Sequence, residues 1–115
     1  MASEIDARVA EAFGWRIVQH KGATTVKPLR IWTAPDGEEM GYEDTFRPST
    51  DISTAWLVVE KMRERGYWLT LEQLVNDEDS WGADFGNEYG ESFPGIGLTA
   101  PLAICRAALQ ALEHA

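Results

Sequence analysis

Apolar residues recur at helical spacing in three segments of the chain: residues 4–13, the stretch from Ile52 to Gly66, and the stretch after Thr99. Each begins beside residues that can cap a helix, and the first two stop at a glycine, which favours helix C-termini. The pattern therefore predicts three helices. The middle one is expected to bury the face that carries Ile52, Ala55, Trp56, Val59 and Met62.

Branched and aromatic residues between these helices predict about four strands. Residues 15–20 and 29–34 alternate their side chains around a turn-rich loop and predict a hairpin, and residues 67–71 and 81–85 predict two more strands. Residues 38–49, 72–80 and 86–97 lack a clean period or are rich in glycine, and we expect loops there. The order αββ-αββ-α predicts an α+β fold, a three-layer α/β/α sandwich around a mostly antiparallel sheet.

The two predicted αββ segments resemble each other where helix meets strand, in "AFGWRIV" and "ERGYWLTL". A duplication would produce this likeness. A helix that stops at glycine before an aromatic-led strand would produce it as well, and this simpler explanation is favoured.

Length and composition narrow the class of protein. A chain of 115 residues, 44% of them hydrophobic, predicts a single domain over residues 1–115. Its apolar runs are too short for a membrane span and its first residues are too acidic for a signal peptide, so we expect no membrane partner and a cytoplasmic location. The lone cysteine, Cys105, excludes an intramolecular disulfide and is predicted to be a small core residue.

Acidic residues are concentrated in one part of the chain. The formal net charge is −9, and residues 66–105 contain seven acidic residues but no lysine or arginine. Such a segment repels a phosphate backbone, so we expect no direct binding of nucleic acid. An acidic surface that mimics nucleic acid remains an alternative.

The sequence contains no complete catalytic motif. His20 and His114 stand alone in the sequence, and "GESFPGIG" lacks the Lys-Ser/Thr of a phosphate-binding loop. Residues 77–88 match a calcium-binding loop at four positions but place Trp81 where an oxygen ligand belongs, which favours an acidic hairpin loop. The sequence thus favours a binding protein without catalytic residues, metal or cofactor over an enzyme. The alternative is a small metal-dependent nucleotide hydrolase that uses Asp77 and Asp79.

A ligand site is predicted at the start of the middle helix. Exposed N–H groups, the helix dipole and the guanidinium of Arg47 would together suit a phosphate or carboxylate, although capping alone explains the same residues. The irregular aromatic segment after residue 80 is expected to lie beside it. The predicted ligand-binding residues are Arg47, Ser49, Thr50, Asp51, Trp81 and Phe85.

Five tryptophans are many for this length. If one face of the sheet is uncovered, some of these rings would form an exposed patch that binds a partner. We therefore expect a homo-oligomer or a protein-binding surface.

Three segments, "EIDARVAEAFGW", "STDISTAWLVVEKM" and "TAPLAICRAAL", resemble the phage ABA sandwich domain family in order and spacing. The resemblance covers nearly the whole chain and implies an α/β/α sandwich of phage or prophage origin in the cytoplasm of an infected bacterium. It implies no enzymatic activity. Small phage proteins often bind a component of the host, so the expected target is a host protein, such as a defence protein, or a small-molecule ligand that the domain sequesters.

Overall fold

Three helices and six strands make up the computed structural model, which describes residues 3–20, 28–75 and 80–114. In chain order they are α1 (Glu4–Ala12), β1 (Arg16–His20), β2 (Leu29–Thr33), β3 (Glu39–Tyr42), α2 (Ile52–Glu64), β4 (Trp68–Leu74), β5 (Ser80–Gly86), β6 (Ser92–Gly97) and α3 (Ala100–His114). The α+β class and the antiparallel pairing are confirmed. The strands number six instead of about four and form two sheets, β1-β2-β3 and β4-β5-β6.

The chain divides into two compact units, residues 1–46 and residues 47–115. Each unit begins with a helix that is followed by one of the three-stranded antiparallel sheets. That the whole chain forms one domain stays a prediction.

In the first unit, Ser3 caps α1 as the sequence predicts. Its Oγ accepts a hydrogen bond from the Asp6 amide at 3.4 Å and donates one to Asp6 Oδ2 at 2.7 Å. Strand β3 was not predicted, because its pattern is irregular: the pairing register with β2 shifts between Trp32 and Thr33, and Gly41 has a φ of 146°. A shift of one residue breaks the alternation on which strand prediction depends.

Both α1 and α2 end at a glycine in the left-handed region, Gly14 with a φ of 87° and Gly66 with a φ of 91°. In each case the amide of the next, aromatic residue donates to a carbonyl of the last helical turn, from Trp15 to Ala10 at 3.1 Å and from Tyr67 to Met62 at 3.0 Å. These bonds satisfy carbonyls that a helix end leaves open. The shared glycine-aromatic junction is thus explained by how the helices end.

In the second unit, α2 lies against β4, and α3 lies against β5, β6 and α2. The heavy burial predicted for α3 is confirmed. Its buried residues are Ala103, Ile104, Cys105, Ala107, Ala108, Leu109 and Ala111.

Strand β6 falls in the segment predicted to be irregular, and its glycines are the reason for the error. Phe93, Gly95 and Gly97 are buried in turn along the strand. A Cβ on Gly95 would overlap the Ala107 amide nitrogen and the Ala103 carbonyl oxygen of α3. Glycine therefore marks a close approach of strand and helix here, which sequence alone does not distinguish from a loop.

Candidate functional site

The buried face of α2 differs from the predicted one. Ala55 and Met62 are fully buried with Val58, whereas Ile52 and Trp56 are 49% and 51% exposed. The buried row lies about a quarter of a helical turn away from Ile52 and Trp56. The apolar arc of α2 is wider than its neighbours cover, and the prediction of Trp56 as a core residue is wrong.

The uncovered part of this arc forms one wall of a groove of about 730 Å³ within the second unit. Leu71 of β4 and Trp81 of β5 line it on the face of the sheet that packs against the helices. The full lining is Ile52, Ser53, Trp56, Leu57, Glu60, Leu71, Trp81 and Ala100. We call these residues the α2 groove; its volume is in the usual range of small-molecule pockets, about 300–1,000 Å³.

The α2 groove is lined mainly by apolar side chains, and acidic residues lie at its edge. Its lining residues include one hydroxyl, Ser53, and one charged group, the exposed carboxylate of Glu60. Asp51, which caps α2, directly precedes the groove residue Ile52. This combination suits an aromatic or aliphatic group and disfavours an anion.

The start of α2 is capped by its own aspartate. Asp51 Oδ1 accepts from the Ser53 amide at 3.2 Å, and Oδ2 accepts from the Thr54 hydroxyl at 2.7 Å. A carboxylate therefore already lies against the N–H groups that an anion would use. Of the other residues predicted there, Arg47 and Thr50 are exposed, and Ser49 is buried.

The two predicted aromatic site residues differ in access. Trp81 lines the α2 groove, so the structure does bring it beside the start of α2. Phe85 shares its face of β5 but is fully buried and lies outside the groove lining. Sequence reasoning missed the other seven lining residues, which are Ile52, Ser53, Trp56, Leu57, Glu60, Leu71 and Ala100. The broad apolar arc of α2 was a signal for Ile52, Trp56 and Leu57 alone.

The acidic segment is described only in part. Asp77 and Asp79 lie outside the described residues, so the hydrolase hypothesis that depends on them stays a hypothesis. Asp84, at the eighth position of the calcium-like pattern, accepts hydrogen bonds from the Ser92 hydroxyl at 2.5 Å and the Phe93 amide at 3.2 Å. It therefore ties β5 to β6. In the ranges that the structure describes, no group of three or more His, Cys, Asp or Glu could hold a metal ion.

His114 is not isolated in the fold. Its ring centroid lies 5.1 Å from that of Phe93, and its Nε2 lies 3.4 Å from Glu91 Oε2. These contacts tie the end of α3 to the β5–β6 hairpin, so the histidine has a structural explanation.

Comparison with known proteins places the chain in a family. Across the described ranges, no helix has the length and apolar character needed to cross a membrane. Neither a curated protein nor a solved structure matches the chain. The sequence model of the phage ABA sandwich domain matches residues 9–109, which take in α2, the six strands described above, most of α3 and the last four residues of α1. The chain therefore belongs to the phage ABA sandwich domain family.

Proposed function

We propose that this phage domain is a binding module that holds a small apolar molecule, neutral or cationic, of the host cytoplasm in the α2 groove. The observation that carries the proposal is the pairing of half-exposed Trp56 with Trp81 around one concave, apolar site. Soluble proteins seldom leave large aromatic side chains exposed in a cavity of ligand size without a use for them.

The electrostatics select the class of ligand. Glu60 in the groove and Asp51 beside it would repel phosphate or carboxylate groups, and Asp51 already accepts from the Ser53 amide at the start of α2. A nucleotide is therefore disfavoured. A flat neutral or cationic ring would stack on the indoles and leave both carboxylates solvated or paired.

The neutral fluorescent probe N-phenyl-1-naphthylamine tests the groove directly. We expect it to bind the wild-type chain and to accept excitation energy from tryptophan. Trp56→Ala should weaken binding about tenfold or more, because about half of one indole surface is lost from the site. The anionic analogue 1-anilinonaphthalene-8-sulfonate should bind more weakly than the neutral probe.

Trp68→Ala provides a matched control, since Trp68 is 55% exposed but does not line the groove. Binding by this variant should equal that of the wild type, with both folds checked by circular dichroism. Equal binding by folded Trp56→Ala and wild type would refute the proposal. The proposal also predicts that native mass spectrometry of the wild-type protein from a bacterial host shows a retained ligand mass, and that Trp56→Ala loses this mass.

A further inference from the structure

One face of the β4-β5-β6 sheet is not covered by the helices of its unit. Gly95 and Gly97 approach α3, and Leu71 and Trp81 meet α2 in the groove. The pairing register puts all four on the same face, because Trp81 is opposite Gly97 and Ala83 is opposite both Leu71 and Gly95. Both helices therefore lie on this face, and the alternate residues point away from them.

Those alternate residues form a second surface, which we call the open face: Trp68, Thr70, Glu72, Asp84, Pro94 and Ile96. Trp68 is 55% exposed and Ile96 is 58% exposed. Trp68 extends over Gly86, with its Nε1 3.7 Å from where a Cβ would stand, and Leu74 covers Gly82 at 3.5 Å. The face also holds a shallow depression of about 280 Å³, whose lining combines the apolar Leu74, Pro94 and Ile96 with the polar Thr70, Glu72 and Asp84.

The charged side chains on the open face are acidic. Its strands contain no lysine or arginine, and Glu72 and Asp84 lie on the face itself. One cation reaches the edge of this face, because Arg106 Nη1 of α3 donates to the Ile96 carbonyl oxygen at 2.8 Å, but the acidic groups outnumber it. A second copy of this chain packed face to face would oppose acidic groups to acidic groups, which is unfavourable. A partner that buries Trp68 and Ile96 needs positive charge beside its own apolar residues.

We propose that the open face binds an amphipathic helix of another protein, with lysine or arginine flanking an apolar stripe. A helix is the element that covers an apolar sheet face in layered folds, and its stripe is about as wide as two or three strands. Its cations would pair with Glu72 and stack on the Trp68 ring. The surface is separate from the α2 groove, so this inference does not depend on the proposed function.

The probe for this surface is a fluorescein-labelled helical peptide of leucine and lysine, with leucine along one face. We expect it to bind the wild-type chain in fluorescence anisotropy, and the same peptide with glutamate in place of lysine to fail. Raising the salt concentration should weaken binding, because charge pairing contributes. Equal binding of the two peptides would overturn the charge argument.

Five variants locate the binding. Trp68→Ala and Ile96→Ala should each weaken binding, about tenfold or more for the tryptophan, whereas Trp56→Ala on the opposite side should not. Glu72→Lys should also weaken it about tenfold, while Glu88→Lys, an equal charge change in the exposed turn between β5 and β6, should have an effect of at most about threefold.

Three results would overturn the proposal. They are equal losses in Trp56→Ala and Trp68→Ala, full binding by both Trp68→Ala and Ile96→Ala when circular dichroism shows a native fold, and a dimer in native mass spectrometry that Trp68→Ala abolishes. The last result would assign the open face to a second copy of this chain.

Discussion

Replacing Gly95 with alanine tests whether the close approach of β6 to α3 decides the stability of the second unit. The new Cβ would lie 2.8 Å from the Ala103 carbonyl oxygen and 2.8 Å from the Arg106 carbonyl carbon, and closer still to the Ala107 amide nitrogen. All three are backbone atoms of one helix, so no side-chain rotation can relieve the overlap. Either β6 or α3 must move by about one ångström to bring the closest of these atoms to ordinary contact.

The expected loss follows from two opposing terms. Overpacking a core typically costs about 1–3 kcal/mol, and a clash with rigid backbone belongs at the upper end of that range. Alanine also restricts the unfolded chain more than glycine does, which returns about 0.4–1 kcal/mol. We therefore expect the free energy of unfolding to fall by about 2 kcal/mol or more.

Urea unfolding followed by far-UV circular dichroism measures this loss, and Gly82→Ala is the control. A Cβ on Gly82 would lie 3.5 Å from Leu74 Cδ1, an ordinary contact, so that variant should be neutral or gain up to about 1 kcal/mol. The reasoning fails if Gly95→Ala stays within about 0.5 kcal/mol of wild type at unchanged denaturant dependence, or if Gly82→Ala loses as much.

Three further substitutions or reactions probe single features. Asp51→Ala should lower the free energy of unfolding by about 1 kcal/mol through loss of the α2 cap, whereas an equal loss in exposed Thr50→Ala would contradict this assignment. Gly66→Ala should cost about 1 kcal/mol through its positive φ alone, and Gly66→Asn should cost less in the same urea titration; the reverse order would refute a backbone cause. The fully buried Cys105 thiol should react with a thiol reagent far more slowly in the native protein than in urea, and equal rates would contradict its burial.

The helix ends could be predicted because their signals are local. Ser3 and Asp51 bond to amides within three residues, and Gly14 and Gly66 end their helices with bonds that span a single turn. Such chemistry depends on neighbouring residues in sequence, so a reader of the sequence sees all of it.

Strands β3 and β6 could not be predicted for the opposite reason. The inward positions of β6 after Phe93 are Gly95 and Gly97, which have no side chain to show alternation. What makes them strand positions is the backbone of α3, which starts three residues after Gly97 yet packs back along the strand. The decisive contact is tertiary, and glycine by itself is equally typical of a loop.

The candidate site was predicted in part. Trp81 was named and lines the α2 groove, but the helix periodicity placed Trp56 in the core. Periodicity shows which residues of α2 are apolar and how wide their arc is. How much of that arc the neighbouring elements cover depends on the position of β4 and α3, which the helix pattern does not contain.

Trp56 and Trp68 show why exposure alone does not assign a surface. The two indoles are 51% and 55% exposed. They lie on opposite sides of the β4-β5-β6 sheet. Trp56 closes a concave groove that suits a small molecule, whereas Trp68 lies on a broad strand surface that suits an element of secondary structure. Because the two residues match in type and exposure, the alanine variant of each is the control for the other. If each ligand loses affinity for only one of the two variants, the loss depends on the surface and not on the removal of a tryptophan as such.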